Sequence, residues 1–202
     1  QTQHCPSSHL YPMQHYSFVL LIFGFLSCLS SSLSITSNTN MASAAQNSPK
    51  APPIVYTIAG SDSGGGAGIQ ADLHAIKAMG GHGCSAIAAL TAQNSVGVTA
   101  VHAPPIEFLR AQLDALVSDL FPRGIKIGML GTKEVANLVG EVLKEIKEKS
   151  NANSRVWVVL DPVMISTSGS KLIDDDAVHA IIKNVFPYAD VVTPNKFEAE
   201  AL

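Results

Sequence analysis

The chain has 202 residues, 47% of them hydrophobic, and a formal net charge of -3. This length suits one folded domain, and the near-neutral charge provides no basic surface for nucleic acid or anionic membranes. The expected partners are therefore small molecules, or proteins met through neutral surfaces. The cysteines, Cys5, Cys28 and Cys84, form no CxxC pair, which disfavours a zinc site or a disulfide framework. Cys84 lies in an apolar run and is predicted to be a buried strand thiol.

Residues 1–53 differ in composition from the rest and are expected to form a disordered leader. The first acidic residue of the chain is Asp62, and the apolar run Phe18–Leu26 is far shorter than the roughly 20 residues of a membrane span. An acid-free, serine-rich leader indicates targeting to a chloroplast or another organelle. The apolar run is instead typical of a secretory signal, and translation from Met41 would give a cytoplasmic form. These alternatives stay open.

From residue 54 to residue 202, strand-like and helix-like segments alternate. Short apolar runs predict strands, and apolar residues at helical spacing predict helices. The predicted strands are Ile54–Ala59, Ser85–Thr91, Ile125–Ile127, Val156–Leu160 and Val191–Val192. The predicted helices are Gly68–Met79, Ile106–Leu120, Glu134–Lys149 and Asp174–Asn184. Apolar strands that alternate with helices predict an α/β fold with a parallel sheet covered on both faces. Its ligands should bind beyond the carboxyl ends of the strands.

A glycine-rich loop, Ser61–Gly68, joins the first predicted strand to the first predicted helix. It lacks the GK[ST] ending of a phosphate-binding Walker loop. A dinucleotide fingerprint also fails, because no acid occurs between Asp72 and Glu107 to bind a ribose. Two interpretations of the loop remain: a tight turn between strand and helix, or a surface on which a flat ligand can lie. Asp72, predicted in the first helical turn and directed towards the loop, would accept a hydrogen bond from such a ligand.

Five motifs follow one another in order: AGSDSGGGAGIQADL, ALTAQNSVGV, KIGML, LDPVM and VTPNKFEAEAL. Together they resemble the hydroxymethylpyrimidine/phosphomethylpyrimidine kinases of thiamine biosynthesis, which belong to the ribokinase-like superfamily. The resemblance implies a three-layer αβα domain with a mainly parallel sheet. It also implies ATP-dependent phosphorylation of 4-amino-5-hydroxymethyl-2-methylpyrimidine and of its monophosphate. The acid-free leader suggests a plant version, in which this kinase is often fused to a thiamine-phosphate synthase.

The resemblance also implies residues of the pyrimidine site. Gln93 would read the ring nitrogen and the amino group, and its amide offers the donors and acceptor that this edge needs. Asp72 would hold the hydroxymethyl side of the ring. The remaining expected ring contacts are Gly60, Ala67, Met129 and Val163.

For the nucleotide, the resemblance implies Asp161, Asn195 and Glu198 near the phosphates of ATP and Mg²⁺, with Glu198 linked to the metal through water. Carboxylate oxygens suit Mg²⁺, although an NxxE pattern at a helix start also indicates a simple cap. Lys126 is predicted to be structural, with its stem packed and its ammonium reaching solvent. Lys171 follows a Gly-Ser stretch and is a weaker candidate for contacting phosphates.

Nothing in the chain matches the Gly-Thr-Gly anion hole in which the family also carries its catalytic residue. We therefore expect a kinase domain truncated at its C-terminus, with the catalytic group downstream of Leu202 and no turnover by these 202 residues alone. One alternative is a catalytically inactive pyrimidine-binding fragment, and another is a pyridoxal-type vitamin kinase. The family often dimerises, so the resemblance also admits a homodimer.

Overall fold

The computed structural model of the chain describes residues 51–152, 154–164, 173 and 175–202. Within these residues the strands are β1 (Ile54–Asp62), β2 (His82–Gln93), β3 (Val98–His102), β4 (Gly124–Ile127), β5 (Trp157–Leu160) and β6 (Val191–Val192). The helices are α1 (Gly68–Ala78), α2 (Ile106–Asp119), α3 (Lys133–Lys149), α4 (Asp175–Asn184) and α5 (Lys196–Ala201), with a 3-10 turn at Phe186–Tyr188. Most of the leader, together with Lys171 and Asp174, lies outside the described residues.

The six described strands form one sheet in the order β3-β2-β1-β4-β5-β6. All neighbours are parallel except β2 and β3. The carboxyl ends of the five parallel strands therefore lie at one edge, as expected. The predicted α/β fold with a mainly parallel sheet is confirmed.

The antiparallel edge strand β3 was absent from the sequence prediction, which also ended β2 two residues early. A short turn joins the two strands. In this turn the side-chain Oδ1 of Asn94 accepts hydrogen bonds from the backbone N–H groups of Val96 and Gly97 at 2.9 and 3.2 Å. Most of β3 is exposed, so it has no apolar run. A polar edge strand gives a weak sequence signal, whereas an Asn-Ser-x-Gly turn between two strand-forming segments is the sign that could have revealed it.

The sheet buries both of its faces, because alternate side chains of a strand point to opposite sides. Tyr56 and Ile58 of β1 belong to the larger core, which packs beneath α2, α3 and α4. Val55 belongs to a smaller core beneath α1, with Ala75, Ile76 and Val159. Helices on both faces confirm the expected three-layer αβα arrangement. None of the helices in the described part of the chain is both long and apolar enough to cross a membrane.

Two buried groups of β1 and β2 face the larger core. Cys84 is buried, as predicted, and burial raises the pKa of its thiol. The hydroxyl of Tyr56 donates to the carbonyl oxygen of Leu120 at 2.6 Å, which ties the sheet to the end of α2. Burial also raises the pKa of Tyr56, so this phenol keeps its proton and remains a donor.

An ionic cluster joins the strands at the amino end of the sheet, opposite the glycine loop. The carboxylate of Asp190 accepts from Lys147 Nζ at 2.8 Å, from the backbone N–H of Val158 at 2.8 Å and from Arg155 at 3.1 Å. Burial alone would raise the pKa of Asp190, but these hydrogen bonds outweigh it and lower that pKa. The Arg155 guanidinium also stacks 3.8 Å from the ring centre of Trp157.

Candidate functional site

The glycine loop is organised around a buried carboxylate. Asp62, which ends β1 and is 6% exposed, accepts the backbone N–H of Gly64 on Oδ1 at 2.7 Å. Its Oδ2 accepts the N–H groups of Gly66 and Ala67 at 3.0 and 2.9 Å. Backbone N–H groups that converge in a loop normally form an anion-binding site. Here an internal carboxylate already occupies three of them, so these N–H groups are not available to a phosphate.

One glycine of this loop is required by both conformation and space. Gly68, the first residue of α1, has a φ of +56°, and a Cβ built on it would lie 2.3 Å from the carbonyl oxygen of Gly60. Gly65 also has a positive φ, of +77°, but a Cβ there would meet nothing within 4 Å. The start of α1 therefore packs directly on the backbone of Gly60, one of the predicted ring contacts.

Gln93 lies against the loop at the carboxyl end of β2. The Oγ of Ser63 accepts from the backbone N–H of Gln93 at 2.8 Å and donates to its carbonyl oxygen at 2.7 Å. The Oγ1 of Thr91 lies 2.9 Å from the carbonyl oxygen of Ser61 and 3.2 Å from the Gln93 side-chain Oε1, and its single proton is shared between these two acceptors. Backbone and side chain of Gln93 are thus both held by polar groups of the loop region.

The structure brings some of the other predicted ring contacts together. A Cβ on Gly60 would lie 2.8 Å from the Cε of Met129, so Met129 lies directly beside this glycine. Ala67 is the last loop residue before α1, and its N–H is one of the three bonded to Asp62. Val163 is half-buried beyond β5, where its N–H donates to the carbonyl oxygen of Asp161 at 2.8 Å. No contact that we describe joins Val163 to the glycine loop.

Asp72 differs from its prediction. It is the fifth residue of α1, beyond the first turn, because the helix begins at Gly68. Its Oδ2 accepts from the hydroxyl of Thr57 at 2.6 Å and from Lys126 Nζ at 3.1 Å. The carboxylate is therefore anchored on the sheet beneath α1 rather than directed back towards the loop. The helix starts at Gly68 as predicted, and this start already places Asp72 in the second turn.

The prediction that the Lys126 ammonium reaches solvent is wrong. Lys126 is 7% exposed, and its Nζ lies 3.1 Å from Asp72 Oδ2 and 3.7 Å from Asp161 Oδ2. Thr57, paired with Lys126 in the sheet, lies on the same face. A buried ammonium needs compensating charge, and two carboxylates provide it. Lys126 consequently connects the end of β5 with the second turn of α1.

Asn195 and Glu198 form a capping box at the start of α5. The Asn195 Oδ1 accepts the N–H of Glu198 at 3.0 Å, and Glu198 Oε2 accepts the N–H of Asn195 at 2.8 Å. Glu198 is 6% exposed, and its Oε1 also accepts the N–H of Met164 at 3.5 Å. The capping interpretation of the NxxE pattern is confirmed. Within the described residues, no group of three or more His, Cys, Asp or Glu side chains could hold a metal ion.

Three residues that shape this site were overlooked in the sequence: Asp62, Ser63 and Thr57. Asp62 and Ser63 carry a local signal, since Asp and Ser before glycine commonly bond backbone groups two or more residues ahead. Thr57 carries none, because a threonine within an apolar strand is typical of any sheet.

Comparison with known proteins identifies relatives over most of the chain. A model of the family described as phosphomethylpyrimidine kinase matches residues 62–202. The hydroxymethylpyrimidine/phosphomethylpyrimidine kinase of Rhizobium meliloti is 47% identical over 146 residues, which are 72% of this chain and 52% of the relative. The "Probable thiamine biosynthetic bifunctional enzyme, chloroplastic" of Oryza sativa subsp. japonica is 44% identical over 161 residues, 80% of this chain and 28% of the relative. The chain thus spans about half the length of the first relative and less of the second.

Solved structures show the same fold. The phosphomethylpyrimidine kinase of Clostridium difficile 630 matches with a TM-score of 0.66 and 43% identity, covering 73% of this chain and 61% of its own. The pyridoxal kinase of Staphylococcus aureus, solved with AMP-PCP and pyridoxal, matches with a TM-score of 0.62 and 38% identity, covering 75% of this chain and 51% of its own.

Proposed function

Because the chain belongs to the phosphomethylpyrimidine kinase family, we propose that it is the pyrimidine-binding part of an ATP-dependent kinase of thiamine biosynthesis. Its substrate would be 4-amino-5-hydroxymethyl-2-methylpyrimidine and then the monophosphate of that compound. The observation that carries the proposal is the glycine loop held against Gln93, with its N–H groups already occupied by Asp62. Such a loop suits a flat, uncharged ring better than a phosphate.

Gln93 would recognise the aminopyrimidine edge. Its Oε1 has one contact, from Thr91, and no described residue accepts a hydrogen bond from its Nε2. A carbonyl oxygen has room for a second donor, and an amide NH2 has two hydrogens to give. The amide can therefore accept from the amino group of the ring while it donates to the adjacent ring nitrogen. Gly60 and Met129 would lie against the ring.

Asp72 would hold the hydroxymethyl side of the ring. Both contacts that we describe for its carboxylate are made by Oδ2, on Thr57 and Lys126. This leaves Oδ1 to accept a hydrogen bond from the hydroxymethyl group. In the proposed reaction the hydroxymethyl group loses its proton to solvent, its oxygen forms a bond to the γ-phosphorus of ATP, the bond from that phosphorus to the bridging oxygen breaks, and ADP leaves. Catalysis of such a transfer depends on positioning and on charge stabilisation.

Asp161, Asn195 and Glu198 would face the nucleotide. Mg²⁺ would neutralise charge on the transferred phosphoryl group, and the carboxylates of Asp161 and Glu198 have the oxygen atoms that it prefers. Both Glu198 oxygens already accept backbone N–H groups. A link from Glu198 to the metal through water fits this arrangement, whereas a direct bond would compete with the helix cap.

Calorimetric titration of the 202-residue chain with 4-amino-5-hydroxymethyl-2-methylpyrimidine tests the assignment of Gln93. Gln93→Ala removes two hydrogen bonds to the ring and should weaken binding by about tenfold or more. Gln93→Glu isolates the donor: it keeps the size and the acceptor but loses the amide NH2 group, so it should also bind weakly. Equal affinity of wild type and Gln93→Ala would contradict the assignment.

Pyridoxal is the competing substrate, since several of the similar solved structures are pyridoxal kinases. Tighter binding of pyridoxal than of the aminopyrimidine in the same titration would favour a pyridoxal-type kinase. Incubation with ATP, Mg²⁺ and the pyrimidine separates a binding module, which yields no phosphorylated product, from an active enzyme.

Location and assembly are further parts of the proposal. The acid-free leader, together with a rice relative named chloroplastic, supports a chloroplast or another organelle. A homodimer is supported by large exposed apolar side chains: Val96 before β3 is 85% exposed, Val101 in β3 is 56% exposed and Phe108 in the first turn of α2 is 60% exposed. Apolar side chains of this kind are commonly covered at interfaces.

A further inference from the structure

We infer that Asp62 is the positioning residue of the pyrimidine site: its carboxylate takes the place of an anion inside the glycine loop and thereby holds the loop against Gln93. The inference rests on the proposed function and adds to it a residue that no part of the family resemblance had singled out. It also gives the reason why this loop would accept a ring and not a phosphate: Asp62 already occupies three of its backbone donors.

The contacts of Asp62 span the whole loop. Oδ1 takes the N–H of Gly64, near its beginning, and Oδ2 takes those of Gly66 and Ala67, at its end. The side chain of Gln70, in the first turn of α1, accepts the N–H of Asp62 at 2.9 Å. A buried carboxylate with three N–H donors within 3.0 Å makes strong, charge-assisted hydrogen bonds. The glycines permit the loop conformation, and Asp62 selects it.

The loop in turn fixes Gln93. Ser63, the residue after Asp62, both donates to and accepts from the backbone of Gln93, at 2.7 and 2.8 Å. A Cβ on Gly64 would lie 3.3 Å from the carbonyl oxygen of Gln93, so the loop backbone packs closely on the same peptide. Any change in the loop that moves Ser63 would therefore move the amide that is proposed to read the ring.

Replacement of Asp62 by asparagine separates this role from simple size. An amide has one oxygen, and its NH2 group must face either the N–H of Gly64 or those of Gly66 and Ala67. At least one bond is lost and replaced by two donors that face each other. Asp62→Asn is thus nearly isosteric but cannot organise the loop. Asp62→Ala empties the same place and leaves room for a small external carboxylate.

The test is calorimetric titration of the 202-residue chain with 4-amino-5-hydroxymethyl-2-methylpyrimidine. Asp62→Asn should weaken binding by about tenfold or more, since bonds to a charged acceptor are among the stronger ones. Asp62→Ala should bind as weakly, and sodium formate should restore part of its affinity while leaving Gln93→Ala unchanged. A purely structural role would not produce rescue limited to one variant. Asp119→Asn, exposed at the end of α2, is the matched control and should bind like wild type.

Each outcome has a separate meaning. Absence of binding by the wild-type chain overturns the proposed function and, with it, the role of Asp62. Normal wild-type binding together with normal binding by Asp62→Asn overturns only the role of Asp62, as does formate that rescues nothing. If the Asp62 variants fail to fold by circular dichroism, Ser63→Ala decides the matter. It leaves the Asp62 contacts intact but breaks the link to Gln93, and unchanged affinity of this variant, compared with a Ser118→Ala control, would refute the inference.

Discussion

Lys126→Met removes the buried ammonium between α1 and β5 and keeps most of the unbranched stem. Of its described partners, the Asp72 carboxylate would retain only the Thr57 hydroxyl. The site is buried, since Lys126 itself is only 7% exposed. Breaking a buried ion pair by removing one partner costs about 3–5 kcal/mol, because the other charge stays buried and uncompensated. The free energy of unfolding should fall by that amount.

Lys144→Met is the matched control. The side chain of Lys144 is 62% exposed, and its Nζ lies 4.0 Å from Glu148. An exposed pair of this kind contributes about 0–1 kcal/mol, so its loss should barely change the free energy of unfolding. The two variants remove the same group, and they differ in burial and in partners.

Urea denaturation followed by circular dichroism measures both variants, with the midpoint interpreted only where the slope is unchanged. The double variant Lys126→Met/Asp72→Asn should be more stable than the sum of the two single losses predicts, because the charge left unpaired in each single variant is removed. Equal urea midpoints for Lys126→Met and Lys144→Met, or single losses that simply add in the double variant, would show that Lys126 and Asp72 do not form a stabilising buried pair.

Two further predictions concern the loop and the opposite end of the sheet. Gly65→Ala is opposed only by the positive φ and should lower the free energy of unfolding by about 1–2 kcal/mol. Gly68→Ala also drives a Cβ into the carbonyl of Gly60. It should lower the free energy of unfolding by about 3 kcal/mol or more and abolish pyrimidine binding. Equal urea midpoints for the two alanine variants would contradict this difference. Asp190, whose pKa is lowered, should stabilise the fold relative to Asp190→Asn by about 1 kcal/mol at neutral pH. This advantage is fully present above the ordinary Asp pKa of about 3.9 and declines as the pH falls through the lowered value, so an advantage that stays constant as melts are moved from neutral to strongly acid pH would be inconsistent with it.

Periodicity in the sequence was sufficient to predict most of the fold. The buried strands β1, β4 and β5 and the helix α3 appear within a few residues of their predicted bounds, because apolar runs and amphipathic spacing reflect burial directly. The edge strand β3 was missed because its contribution is mostly backbone hydrogen bonding, and its side chains carry little signal. The start of α1 at Gly68 was predicted correctly, but the direction of the Asp72 side chain was not, because it depends on Thr57 and Lys126 of the sheet.

Individual residues of the candidate site could be predicted from the sequence, but most of the contacts between them could not. Gln93 and the glycine loop were identified from sequence motifs, and the structure holds them together through Ser63. That Lys126 pairs with Asp72 could not be derived, since 54 residues separate them and the pairing depends on how α1 sits over β1 and β4. Contacts between distant residues require the three-dimensional fold, whereas capping of α5 by Asn195 was visible as a local pattern.

The unequal coverage of the two sheet faces has a consequence for how the molecule opens. Among the described residues, α2, α3 and α4 share a continuous apolar core. The cluster on the other face has four buried apolar residues: Ala75 and Ile76 of α1, with Val55 and Val159 of the sheet. The contacts among Thr57, Asp72 and Lys126 add to it. Segments with few buried apolar contacts detach at a lower free energy than the rest of a domain. The layer that carries the glycine loop is therefore the weaker of the two, and a ligand that joins it to β2 would stabilise that layer first. Ligand binding should thus be coupled to the local stability of the α1 face of the sheet and not to that of the opposite face.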